Sequence, residues 1–237
     1  MTVITLSRQL GSHGEEIATK VARALDLRLI DAETINRAAE KAGVPQVALA
    51  ELEPDRERGL TNRVIASLRA MPPLSPISDT SAFRTDFPGV TLPFTGLFST
   101  TVPPISAWFE GYVRMVGLVI RGLAREGNVL IVGRGGQMLL RNHPDVLHVQ
   151  IVAPAPHRIA CLMERDKLTK REAQNRLRTS DRARLDYMRR YHNVNWLDPT
   201  LYHITVNTDQ ISVPVATDLV IDLARTVSGT EDGCQDE

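Results

Sequence analysis

Short apolar runs alternate with helical periodicities along most of the chain, and that alternation restricts the fold more than any other feature. The segments TVITL (2–6), LRLI (27–30), NVLIVGRGG (128–136), VLHVQIVA (146–153) and HITVNT (203–208) read as strands. Ile17, Val21 and Leu25 recur at i, i+4 and i+8, one face of a helix just after the first strand. Asp31 caps a helix expected to run to about Ala42, and residues 46–70 continue helical. Further helices are expected at about 105–126, 156–166 and 212–226. Thr169 and Glu172 match a capping box that opens a long arginine-rich helix. Strands separated by helices pair in parallel, and helices then cover both faces of the sheet. The expected class is therefore α/β with a central parallel sheet.

One stretch interrupts this order. From Met71 to Pro104, Pro72, Pro73, Pro76, Pro88, Pro93, Pro103 and Pro104 exclude a regular helix. Phe83, Phe87, Phe94 and Phe98 lie in the same stretch, and disordered linkers are poor in aromatics. An ordered wrap around the core or a homodimer contact is expected there. The organisation is then one domain over 1–227, with a core of about 1–45 and 105–227. Residues 46–104 form a variable segment, and 228–237 an acidic, frayed tail.

Basic and acidic residues number 28 each, so net charge gives no argument for a nucleic-acid or membrane partner, and neither is expected. Two cysteines, Cys161 and Cys234, are too few for a disulfide framework and suit free thiols in a reducing compartment. No secretion signal and no apolar run of membrane-spanning length is visible. A soluble cytoplasmic protein is the default expectation. Nothing in the His and Cys spacing resembles a metal site.

The segment SRQLGSHGEE (7–16) joins the first strand to the first helix. A strand, a glycine turn and a helix start present backbone N–H groups and a helix dipole to an anion. Gly11 and Gly14 would allow close approach of a phosphate. The full G-x-x-x-x-G-K-[ST] pattern is not met. Arg8 and His13 fall on its glycines, Gly14 falls on its lysine, and Glu16 is taken as the counterpart of its hydroxyl residue. A plain strand-to-helix connection with acids in its first turn explains the stretch equally well.

Four blocks in order carry a resemblance. ITLSRQLGSHGEEIA, IDAETINRAAEKAG (30–43), VLIVGRGGQMLLR (129–141) with PDVLHVQIVAP, and RTSDRARLDYMRRYHNVNWLDPTLYHITVNT (178–208) resemble the cytidylate kinase-like family. Residues 50–104 match nothing in it. The resemblance implies a three-layer P-loop kinase fold with a helical lid at about 168–200. It implies ATP and Mg2+ as cofactors and a nucleoside monophosphate or similar acceptor. By position, Ser7, Arg8, Gly11, Ser12, His13, Gly14, Glu15 and Glu16 would form the nucleotide loop. Asp31, Arg37 and Arg134 would hold the acceptor. Asp181, Arg182 and Arg184 would belong to the catalytic lid. Gly135 stands where that family's Gly-Arg-Asp motif has its aspartate.

Phosphoryl transfer needs positioning and charge neutralisation, for which arginine's planar fork is suited. The expected function is transfer from a nucleoside triphosphate to a small acceptor, CMP or a relative. Two rivals remain: a regulatory nucleotide binder without turnover, suggested by the missing lysine, and a kinase for a non-nucleotide acceptor, suggested by Gly135. Arg189 and Arg190 read as solvated helix charges, and His148 as structural. Trp196 with Asp198-Pro199 reads as a turn carrying a packed aromatic.

Overall fold

Val3 to Arg8 alternate sides, as side chains on a strand must. Ile4 and Leu6 join a buried cluster with Ile17 and Val21 of the following helix. Val3 faces the other way, into a cluster with Val116 and Ile120. The computed structural model describes residues 1–31, 33–35, 37 and 105–228. Its elements are β1 (Val3–Arg8), α1 (Gly14–Ala24), β2 (Arg28–Ile30), α2 (Ile105–Glu126), β3 (Val129–Val132) and α3 (Gly136–Leu139). They continue with β4 (Val146–Val152), α4 (Ala155–Asp166), α5 (Lys170–His192), β5 (Ile204–Asn207) and α6 (Val213–Ser228).

The five strands are all parallel in the order β2-β3-β1-β4-β5. Val3 pairs with Val129 on one side and Val146 on the other, which sets β1 at the centre. One face carries α1 and α6, whose Ala216, Val220 and Ala224 complete the first cluster. The opposite face carries α2. Helix, sheet and helix make three layers, the P-loop kinase-like α/β arrangement. Burying each large aliphatic here contributes about 1.5–3 kcal/mol. A third cluster, Leu10 with Leu162, Ala173 and Leu177, ties α4 and α5 to the loop after β1.

The topology positions the site. The chain leaves β1 toward β2 on one side, and leaves β4 toward β5 on the other. Open α/β sheets hold ligands where such connections diverge, beyond the carboxyl ends of the strands. Here that place is the end of β1 and β4, where SRQLGSHGEE lies.

Local expectations hold where they can be read. Thr169 and Glu172 form a reciprocal capping box at the start of α5. Trp196 is buried, and Asp198 accepts from the Thr200 N–H to cap a short 3-10 turn, Pro199–Leu201. His148 is structural: its Nδ1 lies 2.7 Å from Thr5 Oγ1, and its ring stacks on His203 with centroids 5.1 Å apart. Burial, helped by His203, pushes its pKa down to about 4 against the opposing Leu140 carbonyl. The helix expected to Ala42 lies outside the described residues beyond its first turn. The segment 46–104, the tail from 229 and Cys234 also lie outside them.

Candidate active site

The loop from Gln9 to His13 is fastened from beneath by buried polar bonds. Gln9 accepts from the Ala153 N–H through Oε1 at 3.0 Å, and its own N–H donates to the Ile151 carbonyl at 3.0 Å. Ser12 has no exposed surface and donates its hydroxyl to the Gln9 carbonyl at 2.8 Å. Thr208, after β5, donates to the Ser12 carbonyl at 3.1 Å. These bonds tie the loop to the ends of β4 and β5. Ser12 therefore shapes the loop from within, its own N–H also donating to the Gln9 carbonyl at 3.3 Å. Ser7, also buried, hydrogen-bonds the Tyr202 hydroxyl, which Gln137 approaches at 3.1 Å.

The glycines answer to contacts. Gly11 has φ +76°, and a Cβ there would stand 2.7 Å from the Arg158 carbonyl. A Cβ on Gly14 would meet the Cβ of Arg8 at 2.4 Å and its Cγ at 2.9 Å. A side chain at position 14 and one at position 8 thus exclude each other. The ordinary pattern has glycine at position 8 and lysine at position 14; this chain has the reverse. The hydroxyl residue of that pattern directly follows the lysine, so its counterpart is Glu15, not Glu16 as the sequence reading had it.

His13 takes a left-handed conformation, φ 57°, and offers α1 no side-chain cap. The first intrahelical bond runs from the Ile17 N–H to the His13 carbonyl. The N–H groups of Gly14, Glu15 and Glu16 precede it and have no partner within the helix. They border a cavity of about 480 Å³ walled by Arg8, the loop, Cys161, Glu164 and Arg165. An uncapped helix start with its positive dipole end on a cavity is suited to an anion.

Arg8 links this loop to the second glycine turn. Its Nη2 donates to Glu15 at 3.1 Å, and its Nη1 lies 3.2 Å from where a Gly133 Cβ would be. Arg134, at φ 53°, follows. The Tyr187 hydroxyl donates to the Arg134 carbonyl at 3.4 Å. Gly135 has φ +70°, and a Cβ there would stand 2.6 Å from His192 Nε2. The imidazole of His192 thus fills the space that an aspartate at position 135 would need. Tyr187 and His192 dock the end of α5 on this turn.

The residues expected in a lid divide. Asp181 accepts from Arg158 Nη1 at 3.0 Å and Nη2 at 2.9 Å, a bidentate pair between α4 and α5. Arg184 donates to Ser180 Oγ at 2.8 Å and lies over the Trp196 ring at 5.9 Å. Arg182 is exposed and stays on the surface of α5, 3.8 Å from Asp186. Asp31 is an N-cap, accepting from the Thr34 N–H at 2.8 Å. Burial alone would raise its pKa, yet the Thr34 bonds and the Arg37 charge hold it below the usual value. Arg37 is exposed, just beyond the edge strand β2.

Gln9, Arg158, Arg165, Tyr187 and His192 were not singled out in the sequence. Each acts through a partner distant along the chain, or on the next element, so no local pattern marks it. Among the described residues no group of three or more His, Cys, Asp or Glu side chains could hold a metal ion. Glu15 and Glu16 are the carboxylates at the loop end of the cavity, and a magnesium ion bound to phosphate would need only one or two such groups. Among the described residues no helix is long and apolar enough to cross a membrane.

A parallel sheet in this order, with a glycine loop and a helix start at its centre, defines a kinase-type P-loop α/β protein. The model of the cytidylate kinase-like family matches residues 3–210, and the chain belongs to that family. An uncharacterised protein from Eubacterium ventriosum ATCC 27560 shares the fold, at TM-score 0.64 and 17% identity over 95% of this chain and 99% of that one. Shikimate kinase from Acinetobacter baumannii, in complex with shikimate, aligns at TM-score 0.46 and 12% identity over 95% of this chain and 94% of that one. A Thermus thermophilus protein aligns at TM-score 0.46 and 18% identity, over 94% and 97% of the two chains. Those two likenesses are too distant to bear on function. No curated protein matches the sequence. Family and fold support a nucleotide-kinase-type phosphotransferase.

Proposed function

We propose that this protein transfers a phosphoryl group from a nucleoside triphosphate, ATP in the first instance, to a small acceptor of the nucleoside monophosphate class such as CMP. The observation that carries the reading is the uncapped start of α1 on a cavity at the centre of the sheet. The N–H groups of Gly14 to Glu16 would bind the donor phosphates, with Arg8 supplying the charge of the missing lysine. Arg165, which also lines that cavity, would add a second guanidinium. Magnesium would neutralise phosphate charge when bound, with Glu15 or Glu16 as its protein ligand.

Arg134, on the turn that Arg8 touches, would hold the acceptor phosphate, with Asp31 and Arg37 toward the β2 edge. Arg182 and Arg184 would approach the transferring group when the lid closes. Both Asp181 oxygens are held by Arg158, so its proposed part is to fix the lid on α4. Excluding water and aligning the two phosphates is most of what such a reaction asks.

Phosphoryl transfer from ATP and GTP to a panel of monophosphates and small alcohols tests this. Turnover with a monophosphate is the expected result. Turnover with an alcohol alone would move the acceptor class, and nucleotide binding without turnover would favour a regulatory role. In an active preparation Arg134→Ala raises the acceptor KM most. Arg182→Ala mainly lowers kcat, by about 100-fold, because it meets charge that develops late.

A further inference from the structure

Glu15 stands between two guanidinium groups that line the cavity with it. Its Oε1 accepts from Arg8 Nη2 at 3.1 Å, and its Oε2 lies 3.7 Å from Arg165 Nη1. Both arginines are aimed. The Arg8 side chain is 16% exposed and runs from the end of β1 between the two glycine turns. Asp166 takes Nε of Arg165 at 2.8 Å and Nη2 at 3.1 Å, which leaves Nη1 turned to Glu15. The Glu15 side chain is 58% exposed, so nothing buries it in this position.

The charged wall of the cavity consists of Arg8 and Arg165 against Glu15, Glu16 and Glu164. Glu16 is engaged by Lys20 at 2.8 Å and faces His13 at 3.4 Å. An ordinary phosphate loop adds a lysine to its helix start. This one adds a carboxylate, and a bare polyphosphate would meet a wall whose two guanidinium groups already face Glu15.

We propose that Glu15 is the specificity-determining residue of this loop: it faces Arg8 and Arg165 as an internal stand-in for phosphate, so that a polyphosphate displaces it more readily with a divalent cation than without. The inference rests on the phosphate-loop reading above. A carboxylate and a phosphate oxygen pair engage a guanidinium in the same way, so the two compete for Arg8 and Arg165. Magnesium supplies the positive charge the wall lacks and gives the displaced carboxylate a partner.

Calorimetric titration of the full chain with inorganic pyrophosphate tests this, with magnesium and with EDTA, using the parent and Glu15→Gln. The parent is expected to bind about tenfold or more tightly with magnesium than without. Glu15→Gln is expected to bind metal-free pyrophosphate about tenfold more tightly than the parent, and to gain little from magnesium. Glu15→Ser, which also removes the charge, is measured alongside in case the amide disturbs the helix start. If the parent binds and both variants keep its metal-free affinity, the proposal falls while the phosphate-loop reading stands. If no protein binds under either condition, the loop reading falls and takes the proposal with it.

Discussion

Asp181 and Arg182 are neighbours on α5, yet they stand in different surroundings. Asp181 turns inward to Arg158, whose side chain is only 5% exposed, and both carboxylate oxygens are taken at 3.0 and 2.9 Å. Arg182 turns outward, is 84% exposed, and meets Asp186 at 3.8 Å. The inner pair joins two helices and lies close to the phosphate-type loop, because the backbone of Arg158 packs on Gly11. The outer pair joins nothing that the same helix does not already join. Charge on the inner side of α5 is therefore part of the fold. Charge on the outer side costs the fold little, which leaves it open to a role in turnover.

The sharpest way to break this contrast is Arg158→Ala. It strips the inner pair and leaves Asp181 partly buried without its counter-ion, so denaturant unfolding should show a loss of about 3 kcal/mol. A loss under 1 kcal/mol would mean that the inner pair resembles the outer one. Gly11→Ala comes next. It forces a Cβ to within 2.7 Å of the Arg158 carbonyl at φ +76°, and should cost about 2 kcal/mol in the same measurement.

The third effect is a pH dependence. The native state holds His148 neutral with a pKa of about 4, against 6.5 for an ordinary histidine. Between those values the unfolded chain binds a proton that the native protein does not. Stability is then full above about pH 6.5 and falls as pH drops toward 4, by about 2 kcal/mol at pH 5. Thermal melts of the parent and His148→Gln across pH 4.5–7.5 check this, because the variant should lose that part of the slope. The smallest effect is Arg182→Ala, with a stability change within about 0.5 kcal/mol, since an exposed pair contributes little. A melt lowered as far as that of Arg158→Ala would erase the distinction between the two faces of α5.

The fold was legible in the sequence because its signals are local. TVITL and VLHVQIVA announce buried strands by their own composition, and Thr169 with Glu172 announces a helix start within four residues. The loop was legible too, as a strand, a glycine turn and a helix in series. What holds it was not, because Gln9 finds the Ala153 N–H across 144 residues. Nor does any neighbour of Gly135 announce His192, which reaches it from the far end of α5. Asp31 shows the opposite case. Its capping role was read from sequence and is present, whereas the acceptor contact implied for it by resemblance is a separate proposal. Reading Glu16 in place of Glu15 was a matter of register, and it hid a carboxylate that stands between the two cavity arginines.

The exclusion between positions 8 and 14 also bears on how such a loop changes over generations. A lysine at position 14 meets the Cβ of any residue but glycine at position 8, so it is not accommodated while Arg8 remains. Replacing Arg8 by glycine first removes the guanidinium before the ammonium is in place. Either order of single substitutions passes through a loop that is overcrowded or short of charge. The two loop types are thus separated by a valley two mutations wide, and a lineage that has crossed it is held on its side by packing, whatever its substrate becomes.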